Sequence, residues 1–204
     1  MNKKFRIVLV GDSNVGKTTV INFLRKNYNL NYENTIFNAY THFLFDEENN
    51  IKYDLEIFDT SGNRDYLKVR KPVYYKANLI ILCFAINNVE SLYNINSFWI
   101  PEINENCPNC AKILLGLKND MRYNQKKYDE KNILSYNYSK KIADSLNIKY
   151  FEFGKIAKDS DNIDDTLQNL SSEISYIFLK GLQTINKESL NQNNKKNKNK
   201  CILQ

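Results

Sequence analysis

Gly11-Asp12-Ser13-Asn14-Val15-Gly16-Lys17-Thr18 separates an apolar run, Phe5 to Val10, from an amphipathic one, Lys17 to Lys26. The first reads as a buried strand and the second as a helix, so the eight residues form a strand-to-helix turn of the pattern G-x-x-x-x-G-K-[ST]. In that setting the glycines let backbone N–H groups close around phosphate oxygens, and the helix N-terminus adds positive potential. Lys17 is placed to reach a β/γ-phosphate pair, and the Thr18 hydroxyl to bind Mg²⁺. The candidate phosphate cradle is therefore Gly11, Asp12, Ser13, Asn14, Val15, Gly16, Lys17, Thr18 and Thr19. A Gly-rich turn with no ligand is the plain alternative, and four fixed positions in the required setting argue against it.

Outward from this turn, apolar runs alternate with amphipathic stretches, the pattern of an α/β layer fold. Phe43 to Phe45 and Tyr53 to Phe58 read as a strand pair, Lys112 to Gly116 and Lys149 to Phe153 as later strands. Leu79 to Ile86, LIILCFAI, is apolar on both faces and too short for a bilayer, which suits a central strand of a mainly parallel sheet. Ser91 to Glu105, Ser135 to Leu146 and Ile163 to Leu182 read as helices. The expectation is one domain over residues 1–184 and a solvated Asn/Lys-rich tail over 185–204.

Composition narrows the class. The 204 residues are 42% hydrophobic with 14 Tyr and 11 Phe, enough for one packed core. No run approaches the ~20 apolar residues of a membrane span, and no signal cleavage site follows MNKKFRIVLV, so the expected compartment is the cytosol. Four cysteines fit a reducing environment. Cys107-Pro108-Asn109-Cys110 has the spacing of a redox or zinc half-site, but no second pair exists and His42 is the only histidine, so two incidental thiols is the favoured reading over metal. A net charge of +6 could serve nucleic acid or an anionic membrane. Lys195, Lys196, Lys198 and Lys200 cluster beside Cys201 at the C-terminus, which favours membrane over nucleic acid.

A phosphate loop does not choose a base. Gly116-Leu117-Lys118-Asn119-Asp120 follows a strand, at the edge where α/β sheets hold ligands. The Asp120 carboxylate can accept two N–H bonds from a guanine edge, and the Lys118 stem can lie against the ring. Asp59-Thr60-Ser61-Gly62 follows YDLEIF, where a metal-positioning Asp is expected, with the Gly62 N–H facing the γ-phosphate. Between the turn at Gly11–Thr18 and Asp59, the segment Tyr32-Glu33-Asn34-Thr35 offers a hydroxyl to the metal.

With GDSNVGKT, TIFNAY, FDTSGNRDYLKVRKPVYY, FWIPEINENCPN, LLGLKNDMR and a terminal CILQ, the chain resembles the Ras superfamily and, within it, the Rho family over residues 4–182. The resemblance implies a P-loop NTPase G domain, a mostly parallel six-stranded sheet with helices on both faces. It also implies a monomeric enzyme that cycles between GTP and GDP with Mg²⁺ held by Thr18, Thr35 and Asp59. By the same resemblance Tyr28 flanks the guanine, Gly154 and the Lys155 N–H close the base pocket, and Lys17, Thr35, Gly62 and Asn63 serve hydrolysis. Asp65 and Tyr66 belong to a second switch, and Tyr123 to Leu134 to a shortened Rho insert helix. Effectors, exchange factors and GTPase-activating proteins would meet segments 28–40 and 59–75, acting on the cytoskeleton.

Three residues depart from the pattern near the γ-phosphate. Asn63 stands where the family has the water-orienting Gln, Ser13 replaces a glycine, and Ser61 replaces the alanine of DTAG, as in the Rnd branch that stays GTP-bound. An amide one methylene short implies slow hydrolysis, and opens the alternative of a GTP-locked, effector-binding module. Leu117 removes a polar side chain that would bridge base and P-loop. A P-loop phosphotransferase would need an arginine-bearing lid, for which residues 59–118 have no insertion. Cys201-Ile202-Leu203-Gln204 is a C-a-a-X ending that favours farnesyl, and a prenyl chain with the lysine cluster is the two-signal anchor expected at the cytoplasmic side of the plasma membrane or endomembranes.

Overall fold

A computed structural model describes residues 2–27, 35–122, 133–154 and 168–185. Its strands are β1 (Asn2–Val10), β2 (Phe37–Asp46), β3 (Ile51–Thr60), β4 (Leu79–Ala85), β5 (Ala111–Leu117) and β6 (Lys149–Phe153). They form one six-stranded sheet in the order β2-β3-β1-β4-β5-β6. Only β2 runs antiparallel, against β3. The other neighbours are parallel, as the apolar character of β4 implies, with all seven of its residues buried.

Helices cover both faces. β1 divides its side chains between them by the two-residue period of a strand. Ile7 and Leu9 pack with Val20, Ile21, Phe23 and Leu24 of α1 (Lys17–Leu24) and with Ile174 and Phe178 of α6, helical over residues 168–185. Val8 and Val10 pack on the opposite face with Val73 and Tyr74 of α2 (Leu67–Tyr74). On that face too lies a helical run made of α3 (Val89–Asn94), a π segment (Ile95–Trp99) and α4 (Ile100–Asn106), with α5 (Tyr136–Ser145) beside it. No helix among the described residues is long and apolar enough to cross a membrane.

Of the elements read from the sequence, β6 keeps both its ends, and the others differ at one end or both. β2 and β3 extend to ten residues each, because the ladder continues from Phe37↔Thr60 to Asp46↔Ile51 past the apolar positions that mark them. α1 stops at Leu24, and Lys26 turns to φ 55°. The helix read as Ser91 to Glu105 is interrupted by its π segment. α2 has no counterpart in the sequence reading, since Pro72 inside it breaks the helical pattern. α6 includes Ile185, which packs on the core past the expected boundary at 184. Of the insert expected at Tyr123 to Leu134, residues 123–132 lie outside the described set, as does the tail from 186 onward.

α2 is tied to α4 by a buried ion pair. The Arg70 guanidinium is fully buried and binds Glu102 through Nε to Oε1 at 2.9 Å and Nη2 to Oε2 at 2.8 Å. Tyr74 donates its hydroxyl to Glu102 at 2.7 Å, and the guanidinium also lies over the Trp99 ring. Burial, and then the Glu102 charge, push the Tyr74 phenol well above its ordinary value. Removing one partner strands a charge in low dielectric, so Arg70→Ala is expected to cost about 3–5 kcal/mol of unfolding free energy, read from urea denaturation.

His42, on β2, has its imidazole held below the ordinary value by burial and then by Arg25 and Lys26. A base whose folded pKa is depressed favours the native state when neutral, and that contribution is lost as pH falls below the unfolded value near 6.5. His42→Gln is therefore expected to lose less stability than wild type between pH 7.5 and pH 5.5. Urea midpoints at the two pH values check this, with no other histidine to confuse the comparison.

Candidate functional site

Four strands deliver their carboxyl ends to one edge of the sheet: β1 into residues 11–16, β3 into Asp59, β5 into Leu117 to Asp120, and β6 into Gly154. This edge, where connections leave β1 for both sides of the sheet, is where α/β folds bind ligands. The turn after β1 approaches β4 so closely that a Cβ on Gly11 would stand 2.0 Å from the Cys83 carbonyl oxygen, and φ is 141°. Only glycine fits there. Asn14 takes φ 64° and is exposed, as are Ser13 and Thr19, while Val15 is buried. Lys17 is folded back under the turn, its Nζ donating to Gly11 O and Asp12 O at 2.8 Å each. Burial holds its pKa below the usual lysine value.

Three hydroxyl or carboxylate groups from three segments meet beside that lysine. Thr18 Oγ1 donates to Asp59 Oδ2 at 2.6 Å, lies 3.1 Å from Thr35 Oγ1, and Thr35 Oγ1 is 3.5 Å from the same carboxylate oxygen. Asp59 is wholly buried, and its other oxygen, Oδ1, has no hydrogen-bond partner. Burial pushes its carboxyl above the ordinary range, with Thr18 and Lys17 acting in opposition. An orphaned carboxylate oxygen among hard oxygen donors is the chemistry a Mg²⁺ ion takes, so these residues fit the expected metal.

Gly62 leaves β3 against the phosphate turn. A Cβ there would stand 2.1 Å from Ser13 N and 2.3 Å from Asp12 C. The following backbone is held by Arg70, whose Nη1 donates to Ser61 O at 3.1 Å and Asn63 O at 2.6 Å. The Asn63 side chain caps the 3₁₀ turn Arg64–Tyr66, accepting from Asp65 N at 3.0 Å, and the Ser61 hydroxyl accepts from Asn63 N at 3.2 Å. Two of the three departures from the expected pattern, Ser61 and Asn63, are thus engaged by the local backbone.

At the base-reading end, Lys118 takes φ 63° and is half-buried, which lowers its pKa. Asp120 sits in the 3₁₀ turn Asn119–Arg122. Gly154 is packed so tightly on it that a Cβ would stand 2.4 Å from Asn119 Oδ1 and 2.7 Å from Asp120 Oδ1. Arg122 pairs with Glu152 and donates to Leu134 O at 2.7 Å, joining the β5 and β6 loops. Leu117 is 2% exposed, and its Cδ1 lies 3.5 Å from the point a Gly16 Cβ would occupy. In place of the polar bridge expected of this position stands a leucine buried in the same apolar cluster as Val15 of the turn.

Two residues that pattern reading passed over complete the site. Trp99 Nε1 donates to Asp12 Oδ1 at 2.8 Å, and Asn94 Nδ2 to Asp12 Oδ2 at 2.7 Å. Asn94 Oδ1 accepts from Arg64 at 3.0 Å, so the turn after β1 is linked through α3 to the segment after Gly62. The π segment carries Trp99 to this contact, the kind of helical irregularity that gathers at functional sites. Gly11 through Thr19, Thr35, Asp59, Gly62, Asn63, Lys118, Asp120 and Gly154 are all described, at one edge of the sheet. Tyr28, Tyr32 to Asn34, Lys155 and Cys201 lie outside the described residues.

A Ras family model matches residues 6–176. The chain is similar to the Ras-like GTP-binding protein RHO1 of Entamoeba histolytica, 30% identical over 213 residues that span 99% of this chain and 92% of that one. It is 36% identical to the GTP-binding protein rho3 of Schizosaccharomyces pombe over 133 residues, 64% of each chain. It is 37% identical to the human Rho-related GTP-binding protein RhoE over 123 residues, 59% of this chain and 49% of that protein. With a mostly parallel six-stranded sheet, a G-x-x-x-x-G-K-[ST] turn and Rho-type relatives along its length, the chain belongs to the Ras family as a Rho-type small GTPase.

Proposed function

We propose that this chain binds GTP and GDP with Mg²⁺ and acts as a membrane-anchored, Rho-type switch whose own hydrolysis is slow. The observation that carries the reading is the meeting of Thr18, Thr35 and Asp59 beside Lys17. One of these oxygens comes from the segment before β2, so a cation held there couples that segment to the phosphates.

In this reading the N–H groups of residues 13–18 hold the β-phosphate, and the Lys17 ammonium neutralises the β/γ bridge. Lys17 is already oriented by two carbonyls and has lost its water, so its charge acts at full strength in a site of low dielectric. Thr18, Thr35 and Asp59 would hold Mg²⁺, which supplies neutralisation of charge developing on the phosphate oxygens. The Gly62 N–H faces the γ-phosphate. Asp120 takes the guanine N–H edge, and the Lys118 stem, with Tyr28 opposite, stacks the base. Gly154 and the Lys155 N–H close the pocket.

Slow turnover follows from Asn63. Its amide is one methylene short of the family's Gln and caps the next turn, so attacking water lacks an oriented acceptor. An arginine from a partner would then supply most of the rate. The same observation supports a second reading, a GTP-locked module governed by abundance and lipidation. Exposed Ile36, Phe37, Leu67 and Val69 offer apolar surface on the two segments where effectors, exchange factors and GTPase-activating proteins are expected. The domain expected over 1–184 runs on through Ile185, and the tail beyond it presents Cys201 to a prenyltransferase. A prenyl chain and four lysines together then hold an anionic membrane, with effectors of the cytoskeleton as downstream partners.

Competition binding tests the nucleotide. With Mg²⁺, GTP is expected to displace a fluorescent guanine nucleotide where ATP does not, and Asp120→Ala to lose about ten- to a hundredfold in guanine affinity. Equal competition by ATP refutes the base assignment. Single-turnover hydrolysis tests the rate: Asn63→Gln is expected to exceed wild type by up to roughly a hundredfold. Matching rates at a pace ordinary for the family would leave a conventional cycling switch.

A further inference from the structure

The Cys107-Pro108-Asn109-Cys110 turn plays no part in the nucleotide site, and lies at the opposite edge of the sheet, between the end of α4 and the start of β5. Cys110 N donates to Cys107 O at 3.3 Å, which closes a four-residue turn with the two cysteines at its ends. Pro at the second position fixes the backbone angle such a turn needs, and the ends of a β-turn stand within about 7 Å, inside the Cα separation a disulfide spans. Cys110 Sγ donates to Cys107 O at 2.9 Å, so its sulfur is already turned back over the loop. A cavity of about 410 Å³, lined by Tyr75, Ala77, Asn78, Cys107, Cys110 and Ile185, opens onto the pair. The Lys112 ammonium donates to Pro108 O at 3.3 Å and Cys110 O at 3.2 Å, placing positive charge at the turn. Among the described residues, no third His, Cys, Asp or Glu stands with the pair to complete a metal-ligand set.

We propose that Cys107 and Cys110 form a reversible dithiol–disulfide site that reacts with hydroperoxides. Cys107 is the more exposed residue of the two and reacts first. Its thiolate attacks a peroxide oxygen, the O–O bond breaks, and the leaving oxide takes up a proton, giving a sulfenic acid and water. The Cys110 sulfur then attacks the Cys107 sulfur, the S–O bond breaks, and the hydroxyl leaves as water with the proton of Cys110. The peroxide is reduced by two electrons and the two thiols are oxidised by two. Burial pushes the Cys110 thiol up to about 12, so it is a poor nucleophile toward free reagents, and its attack depends on being held in the same turn as its target. A dithiol reductant reverses the reaction by exchange.

The test treats the full-length protein with hydrogen peroxide and follows intact mass and a non-reducing peptide map. A loss of about 2 Da that maps to a Cys107–Cys110 crosslink, is restored by dithiothreitol, and is absent from Cys107→Ser and Cys110→Ser supports the site. In Cys110→Ser the expected product is instead Cys107 oxidised further, by about 32 Da for the sulfinic acid. Cys83, fully buried with its thiol pushed up to about 12, serves as an internal unreactive thiol. The proposal is overturned if wild-type Cys107 proceeds to the sulfinic acid with Cys110 still free. It is equally overturned if the pair crosslinks only between chains, or if both thiols survive conditions that oxidise Cys201.

Discussion

A carboxylate with no exposed surface sits at the end of β3, and its charge is answered by two hydroxyls and one nearby ammonium. An isolated buried anion costs several kcal/mol in an apolar interior, so Asp59 can stand there only because Lys17, Thr18 and Thr35 converge on it. That convergence needs β1 and β3 in register, with Leu9 opposite Asp59, and needs the turn after β1 pressed against β4 at Gly11. The sheet order and the two glycine contacts follow from bringing one charge and its partners to the same point.

Around this point the molecule is bound together by polar links, two of which, from Asn94 and Trp99 to Asp12, cross 82 and 87 residues of sequence. Asp12 is held from α3 and the π segment, Asn63 and Ser61 through their carbonyls by Arg70, and Arg70 in turn by Glu102. Each of these acceptors is satisfied inside the protein, so the backbone after Gly62 is fixed by Arg70 as well as by the local Asn63 cap. This is a structural basis for linking events at the proposed γ-phosphate position to α3 and α4.

What could be read from the sequence divides along the same line. The phosphate turn, Asp59 and the Lys118–Asp120 segment were legible because each joins short-range residue spacing to a strand end, and strand ends follow from apolar runs. Trp99 and Asn94 carry no local sign of their role, being 87 and 82 residues from the carboxylate they hold. Arg70 looks like a surface arginine beside a proline. α2 was hidden by Pro72, and the full length of β2 by exposed side chains at Phe37, Asn38 and Ala39, where backbone pairing alone continues the strand. Leu117 was legible as a missing polar group, but that it packs on the phosphate turn required the coordinates.

That packing has a thermal meaning. Where a hydrogen bond would join the segment after β5 to the turn after β1, this chain places a leucine, Leu117, buried in the same apolar cluster as Val15 of that turn. Apolar association draws on water entropy and weakens on cooling, whereas a hydrogen bond is mainly enthalpic and strengthens. Between the two segments proposed to hold base and phosphates, the link in this protein is thus apolar burial that loosens in the cold, opposite in sign to a polar bridge.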